Sequence, residues 1–197
     1  MSHTTFCGLP LLAAPGRVMT ARPASEQLVA AALARIGGRP LRVVDVGTGS
    51  GAIAIAIAAG ATTAEVWATD TSGAAVALAR ANVRRHGLSG RVTVRRGDLL
   101  DAVPGAVDLV VANLPYLPAG EAGRHPELAG EPHGAVFAAG DGLEPYRRLL
   151  ARSAERLTED GAVVLQLHRR VLEASRAGLP ALCVELERRS SAALAAA

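Results

Sequence analysis

The sequence predicts an α/β fold, a doubly wound and mostly parallel sheet of the Rossmann-like kind, and three observations carry the prediction. Short apolar runs alternate with stretches of helical length along most of the chain, as expected of strands whose crossovers cover both faces of a sheet. One run, Leu41-Arg42-Val43-Val44, passes through Asp45-Val46-Gly47-Thr48-Gly49-Ser50-Gly51-Ala52 into a second apolar run from Ile53 to Ile57. That order describes a buried strand, a tight glycine turn and a helix packed on the sheet. Asp70, Asp98 and Asn113 stand at or just past the expected ends of three further strands, and open α/β sheets bind ligands beyond those carboxyl ends.

The elements follow in order. Residues 1 to 22 show no clear periodicity and read as an N-terminal extension, while residues 23 to 197 form one domain, a length that fits a single core. A helix begins near Pro23 and closes at Gly37-Gly38. Arg42 to Val46 is the first strand, and the helix after the glycine turn ends near Gly60. Glu65 to Thr69 is the second strand, ending at Asp70. Thr71 or Ser72 caps the next helix, which runs to about His86 with Gly87 as its stop. Val92 to Val94 and Val107 to Ala112 are the third and fourth strands. A Gly- and Pro-containing stretch from Pro118 to Gly142 interrupts the alternation, and a loop of that length in a compact domain is usually functional. Leu143 to Leu157 is helical and Ala162 to Leu167 is a fifth strand. Ala181 to Leu186 suits a sixth strand, and the C-terminal strands look truncated.

Composition narrows the function. Hydrophobic residues make up 50% of the chain, yet no apolar run approaches the ~20 residues that span a bilayer, so no membrane role is expected. The leading MSHTTFCGLPLLAA lacks a basic region, which argues against an export signal and for the cytoplasm. Cys7 and Cys183 lie at opposite ends without a C-x-x-C pattern, so free thiols are expected. His125, Glu131 and His133 match no common ligand spacing, and no metal is assigned. The net charge of +3 is carried by arginine alone, in scattered pairs, and aromatics are only 3% of residues. Contact with nucleic acid is therefore permitted, but a base-stacking platform is not expected.

The chemistry lies in the turn and in Asn113-Leu114-Pro115-Tyr116. The turn spaces its glycines G-x-G-x-G, unlike the G-x-G-x-x-G of a pyrophosphate-binding loop. This spacing, with Asp45 just ahead, resembles S-adenosylmethionine methyltransferases. Gly47, Thr48, Gly49 and Gly51 would then form the donor cradle. Asp45 either braces the turn or meets the donor's amine. Asp70, about 20 residues on, suits the two ribose hydroxyls, and Asp98 with Leu99 suits the adenine.

Beyond them, Asn113 can offer its side-chain oxygen and Leu114 its main-chain carbonyl to both hydrogens of a planar nitrogen. That arrangement turns the lone pair toward an electrophilic methyl group and stabilises the charge that grows on nitrogen. Pro115 closes the bend, and Tyr116 can stack on the planar group and hold it in line. Asn113, Leu114, Pro115 and Tyr116 are thus the candidate catalytic residues, and Asn113 also borders the donor.

Over residues 22 to 167 the chain resembles the protein-glutamine N-methyltransferases that modify the Gly-Gly-Gln loop of peptide-chain release factors. The resemblance rests on Arg22-Pro23 with Glu26, DVGTGSGAIAIAIA at 45 to 58, ATD at 68 to 70, GDLL at 97 to 100, DLVVANLPY at 108 to 116, and GEPHGAVFAAGDGLEPYRRLL at 130 to 150. It implies S-adenosylmethionine as donor and a glutamine side-chain amide as acceptor. Three departures stand out. Leu114 replaces a proline of the family's Asn-Pro-Pro-Tyr, which lifts a φ restraint and adds an N–H. Only about twenty residues precede the domain, where full-length members carry a helical N-terminal domain. Gln166 stands where the family tends to be acidic. Asn-Leu-Pro-Tyr also resembles ribosomal RNA adenine dimethyltransferases, so an RNA or DNA adenine, or a small-molecule amine, is the alternative acceptor. A catalytically idle donor-binding partner subunit is the third reading.

Overall fold

The computed structural model describes residues 2–167 and 183–187. Among the described residues, six strands form the central sheet: β3 (Arg42–Val46), β4 (Glu65–Asp70), β5 (Val92–Arg96), β6 (Val107–Ala112), β9 (Leu157–Gln166) and β10 (Cys183–Glu187). Their order is β10-β9-β6-β3-β4-β5, parallel throughout except for β10 against β9. The doubly wound, mostly parallel sheet expected from the alternation is therefore present. Strands β3 and β6 lie side by side at its centre, with Val46 opposite Ala112. Their continuations, the glycine turn and the Asn113 segment, consequently leave the sheet as neighbours.

Helices α1 (Glu26–Ile36), α2 (Ala52–Gly60), α3 (Gly73–Arg85) and α5 (Glu144–Arg156) cover the sheet. Helix α2 is apolar on all sides because it is buried on all sides; Ala52 to Ala58 are all buried. Ser72 caps α3 by accepting the Ala75 N–H, and Gly37 closes α1 in the left-handed conformation, both as the sequence suggested. Strand β9 begins earlier than expected. Val107 pairs with Leu157 and Leu109 with Ala162, so Thr158 to Gly161 bulge out between the two pairs. The last expected strand appears as β10, while residues 188 to 197 and the two residues before Cys183 lie outside the described part.

Residues 2 to 13 form a hairpin that the sequence did not announce: β1 (Ser2–Phe6) and β2 (Leu9–Ala13), antiparallel around Cys7-Gly8. Both turn residues have positive φ, 48° and 73°, which is the two-residue turn that suits strand twist. Phe6 and Leu11 are buried in the same apolar cluster as α1 and α2. The polar anchor is Asn82 of α3, fully buried. Its Oδ1 accepts the Leu12 N–H at 2.8 Å, and its Nδ2 donates to the carbonyls of Leu12 at 3.0 Å and Ser50 at 2.9 Å. One side chain thus ties the hairpin to the glycine turn. The 118–142 stretch is not a plain loop. It holds β7 (Leu117–Pro118), two 3-10 turns, α4 (His133–Val136) and β8 (Phe137–Ala138), with β7 paired to β8. Among the described residues, no helix is long and apolar enough to cross a membrane.

Replacing Asn82 with leucine keeps the volume but leaves three main-chain groups without their partner. The expected loss is about 3 kcal/mol in urea unfolding; a loss under about 1 kcal/mol would show that water replaces the anchor.

Candidate active site

The glycine turn is assembled from its own peptides. Gly47, Gly49 and Gly51 all have positive φ (74°, 57° and 83°). The Gly47 and Thr48 N–H groups donate to the Thr69 carbonyl at 2.9 Å, which hangs the turn on the end of β4. Gly47 is required sterically as well. A methyl placed on it would lie 2.7 Å from Leu114 Cδ2, so the Leu114 side chain rests on the bare backbone of the turn.

Asp45 is buried beneath this bend. Its Oδ2 accepts from Thr48 Oγ1 at 2.6 Å and from the Ala54 N–H at 3.1 Å. One oxygen therefore braces the turn, and the Thr48 hydroxyl is spent on it. Oδ1 is buried with no protein partner, an acceptor left over. Burial raises the Asp45 carboxyl to about 7; the hydrogen bonds from Thr48 and Ala54 oppose the rise and the nearby Asp70 charge adds to it.

Above the turn opens a cavity of about 460 Å³, a size suited to a nucleoside-sized ligand. Gly47, Gly49, Asp70, Asp98, Leu99, Asn113, Leu114 and Pro115 all contribute to its wall. Asp45, Gly51 and Tyr116 do not contribute to that wall, and Thr48 lines a smaller adjoining cleft together with Asn113. Asp70 accepts the Gly49 N–H at 2.9 Å through Oδ2 and the Ser72 N–H at 2.8 Å through Oδ1. Each oxygen retains lone-pair capacity for a vicinal diol. Asp98 is paired with Arg148 of α5, which also lines the cavity. Leu99 holds a positive φ of 48°, rare for a residue with a side chain. Its carbonyl is fixed there by the Thr69 hydroxyl at 2.8 Å.

The Asn113–Tyr116 segment is held from three directions. Asn113 Nδ2 donates to Ser25 Oγ at 3.1 Å, which leaves the Asn113 carbonyl oxygen free to accept. Ser25 precedes α1 at the capping position but makes no side-chain cap bond, so its hydroxyl serves Asn113 instead. Gly142, at φ 87°, lies so close to the Tyr116 carbonyl that a methyl there would overlap it. Glu131 accepts the Thr20 N–H at 3.2 Å and pairs with Arg22 at 3.3 Å, tying the 118–142 excursion to the segment that carries Ser25. His125 instead pairs with Glu127, and His133 packs on Phe137. Burial holds the Tyr116 phenol above its ordinary pKa, and the charge of Arg22 opposes that rise only in part.

Nothing local in the sequence marks Ser25 or Arg148 as site residues. Ser25 lies in a segment already noted for Arg22-Pro23 and Glu26, but a serine ahead of a helix reads as a cap. Arg148 is one of a scattered arginine pair, and only the fold brings it across to Asp98.

The family model for the methyltransferase small domain matches residues 23–125. The chain belongs to that family. A release factor glutamine methyltransferase from Deinococcus radiodurans is 39% identical over 159 residues, covering 79% of this chain and 56% of the relative. A ribosomal protein uL3 glutamine methyltransferase from Bradyrhizobium diazoefficiens is 39% identical over 130 residues, covering 65% of this chain and 41% of the relative. The chain thus spans about half the length of these relatives. Among solved structures, the T. thermophilus 16S rRNA N2 G1207 methyltransferase in complex with AdoMet and guanosine overlays with a TM-score of 0.61 at 21% identity, over 88% of this chain and 44% of the other. That likeness bears on the fold.

Between its ordinary value of 3.8 and about 7, Asp45 keeps a proton in the folded chain that the unfolded chain has lost. Folding stability therefore falls as pH rises through that window, by at most ~1.4 kcal/mol per pH unit from this group. Asp45→Asn should flatten the slope when urea unfolding is followed from about pH 4 to pH 8; equal slopes in variant and wild type would refute the assignment.

Proposed function

We propose that the chain transfers a methyl group from S-adenosylmethionine to the side-chain amide of a glutamine in a peptide-chain release factor or a similar protein of the translation apparatus. The observation that carries this reading is the seating of Asn113 against the glycine turn, with its amide nitrogen held by Ser25 and its oxygen left as acceptor. S-adenosylmethionine, when bound, supplies an electrophilic methyl on a sulfonium sulfur. The residues present suit it. Asp70 offers two oxygens for the ribose, the Asp98–Leu99 bend borders the place for adenine, and the small turn residues allow close backbone approach.

An amide nitrogen is a weak nucleophile because its lone pair is delocalised into the carbonyl. Asn113 Oδ1 and the Leu114 carbonyl accept its two hydrogens and turn the lone pair out of conjugation, and their dipoles favour the positive charge that develops as the N–C bond forms, the S–C bond breaks to leave a neutral thioether, and one of the two hydrogens departs to solvent as a proton. Tyr116 packs against the planar group, so positioning supplies much of the rate. An acceptor on the translation machinery places this work in the cytoplasm. The glutamine methyltransferases among the relatives, one named for release factors and one for uL3, support a protein glutamine over a nucleic-acid base.

Incubation with S-adenosylmethionine and a Gly-Gly-Gln peptide, followed by mass spectrometry, is expected to place one methyl on the glutamine; a uL3-derived peptide serves as the second arm. Asn113→Ala should lower turnover by about a hundredfold or more while leaving donor affinity within about threefold. Wild-type protein that binds donor yet methylates neither peptide would overturn the reading and favour an idle partner subunit.

A further inference from the structure

Leu114 brings to the acceptor segment an N–H that a proline would lack. The residue is buried, and that N–H donates to the Tyr146 hydroxyl at 3.0 Å. Tyr146 stands in the first turn of α5 and is only 3% exposed. Two carbonyls also lie within reach of its hydroxyl, that of Leu114 at 2.9 Å and that of Gln166, the last residue of β9, at 2.7 Å.

A phenol has a single proton, so it cannot satisfy both carbonyls fully. The shorter contact is with Gln166. With the proton there, the Tyr146 oxygen accepts from the Leu114 N–H and the Leu114 carbonyl keeps its lone pairs for another donor. The contact to Gln166 is through the main chain, so it does not depend on which side chain stands at 166.

We propose that Tyr146 is a positioning residue for the acceptor nitrogen. Its hydroxyl grips the Leu114 peptide and points that carbonyl alongside the Asn113 amide, supplying from α5 the restraint that a proline ring at 114 would supply from within the loop. The identity of the acceptor rests on the glutamine methyltransferase reading; the grip itself does not. Tyr146 touches neither donor nor acceptor and acts through Leu114.

The test is a double-mutant cycle in the full chain with Tyr146→Phe, Leu114→Pro and the pair. Amide hydrogen exchange of Leu114 should quicken about ten- to a hundredfold in Tyr146→Phe, as expected when a buried N–H loses its acceptor. On the Gly-Gly-Gln peptide, Tyr146→Phe should lower kcat about tenfold or more with the donor KM within about threefold, and the same change in the Leu114→Pro background should cost less than about threefold. Equal losses in both backgrounds, or unchanged exchange at Leu114, would overturn the proposal. If the wild type methylates no peptide, the functional reading fails and the exchange measurement alone decides the grip: quickened exchange keeps it and unchanged exchange removes it.

Discussion

The site depends on the contact between a bare peptide at Gly47 and the Leu114 side chain. Parallel pairing of β3 and β6 delivers the glycine turn and the Asn113 segment to the same edge of the sheet, but pairing alone would leave a side chain's width between them. A glycine at 47 removes that width. The Leu114 side chain then seats on the turn, and Asn113 borders the cavity above it. Every other support, from Ser25, Tyr146, Gly142 and Glu131, refines a geometry that this close approach makes possible.

The same economy of backbone explains why so much polarity is buried here. Asp45, Thr48, Asn82, Ser25 and Thr69 are all buried, and all but one of their side-chain polar atoms hydrogen-bond to a main-chain group or to another side chain. Such networks fix a turn that has few side chains of its own to pack. The unpartnered Oδ1 of Asp45 is the exception. A carboxyl held partly protonated near neutrality lowers stability as pH rises, and the turn tolerates it because the other oxygen secures both Thr48 and the start of α2.

Much of the sheet was legible in the sequence. Strands β3 and β6 are covered on both faces, so Val43-Val44 and Leu109 to Ala112 read as apolar runs beside Asp45 and Asp108, and the turn between β3 and α2 announces itself through glycine spacing. The hairpin did not, because a polar residue, Thr4, takes the inward position between outward His3 and Thr5 and so masks the alternation, and Cys7-Gly8 lacks the Asn or Asp usual in such turns. The supporting residues of the site were hidden for a different reason. Asn113 and Ser25 are 88 positions apart, Asn82 and Leu12 are 70, and Leu114 and Tyr146 are 32. Local periodicity reports which face is buried; it does not report which distant side chain completes a hydrogen bond.

The seating of Leu114 on Gly47 is tested most directly by measuring donor affinity and turnover in Gly47→Ala with and without Leu114→Ala. The added methyl should collide with Leu114 Cδ2, lowering both quantities about tenfold or more, and truncation at 114 should recover part of the donor affinity. A Gly47→Ala protein that binds and turns over as the wild type does would contradict the account.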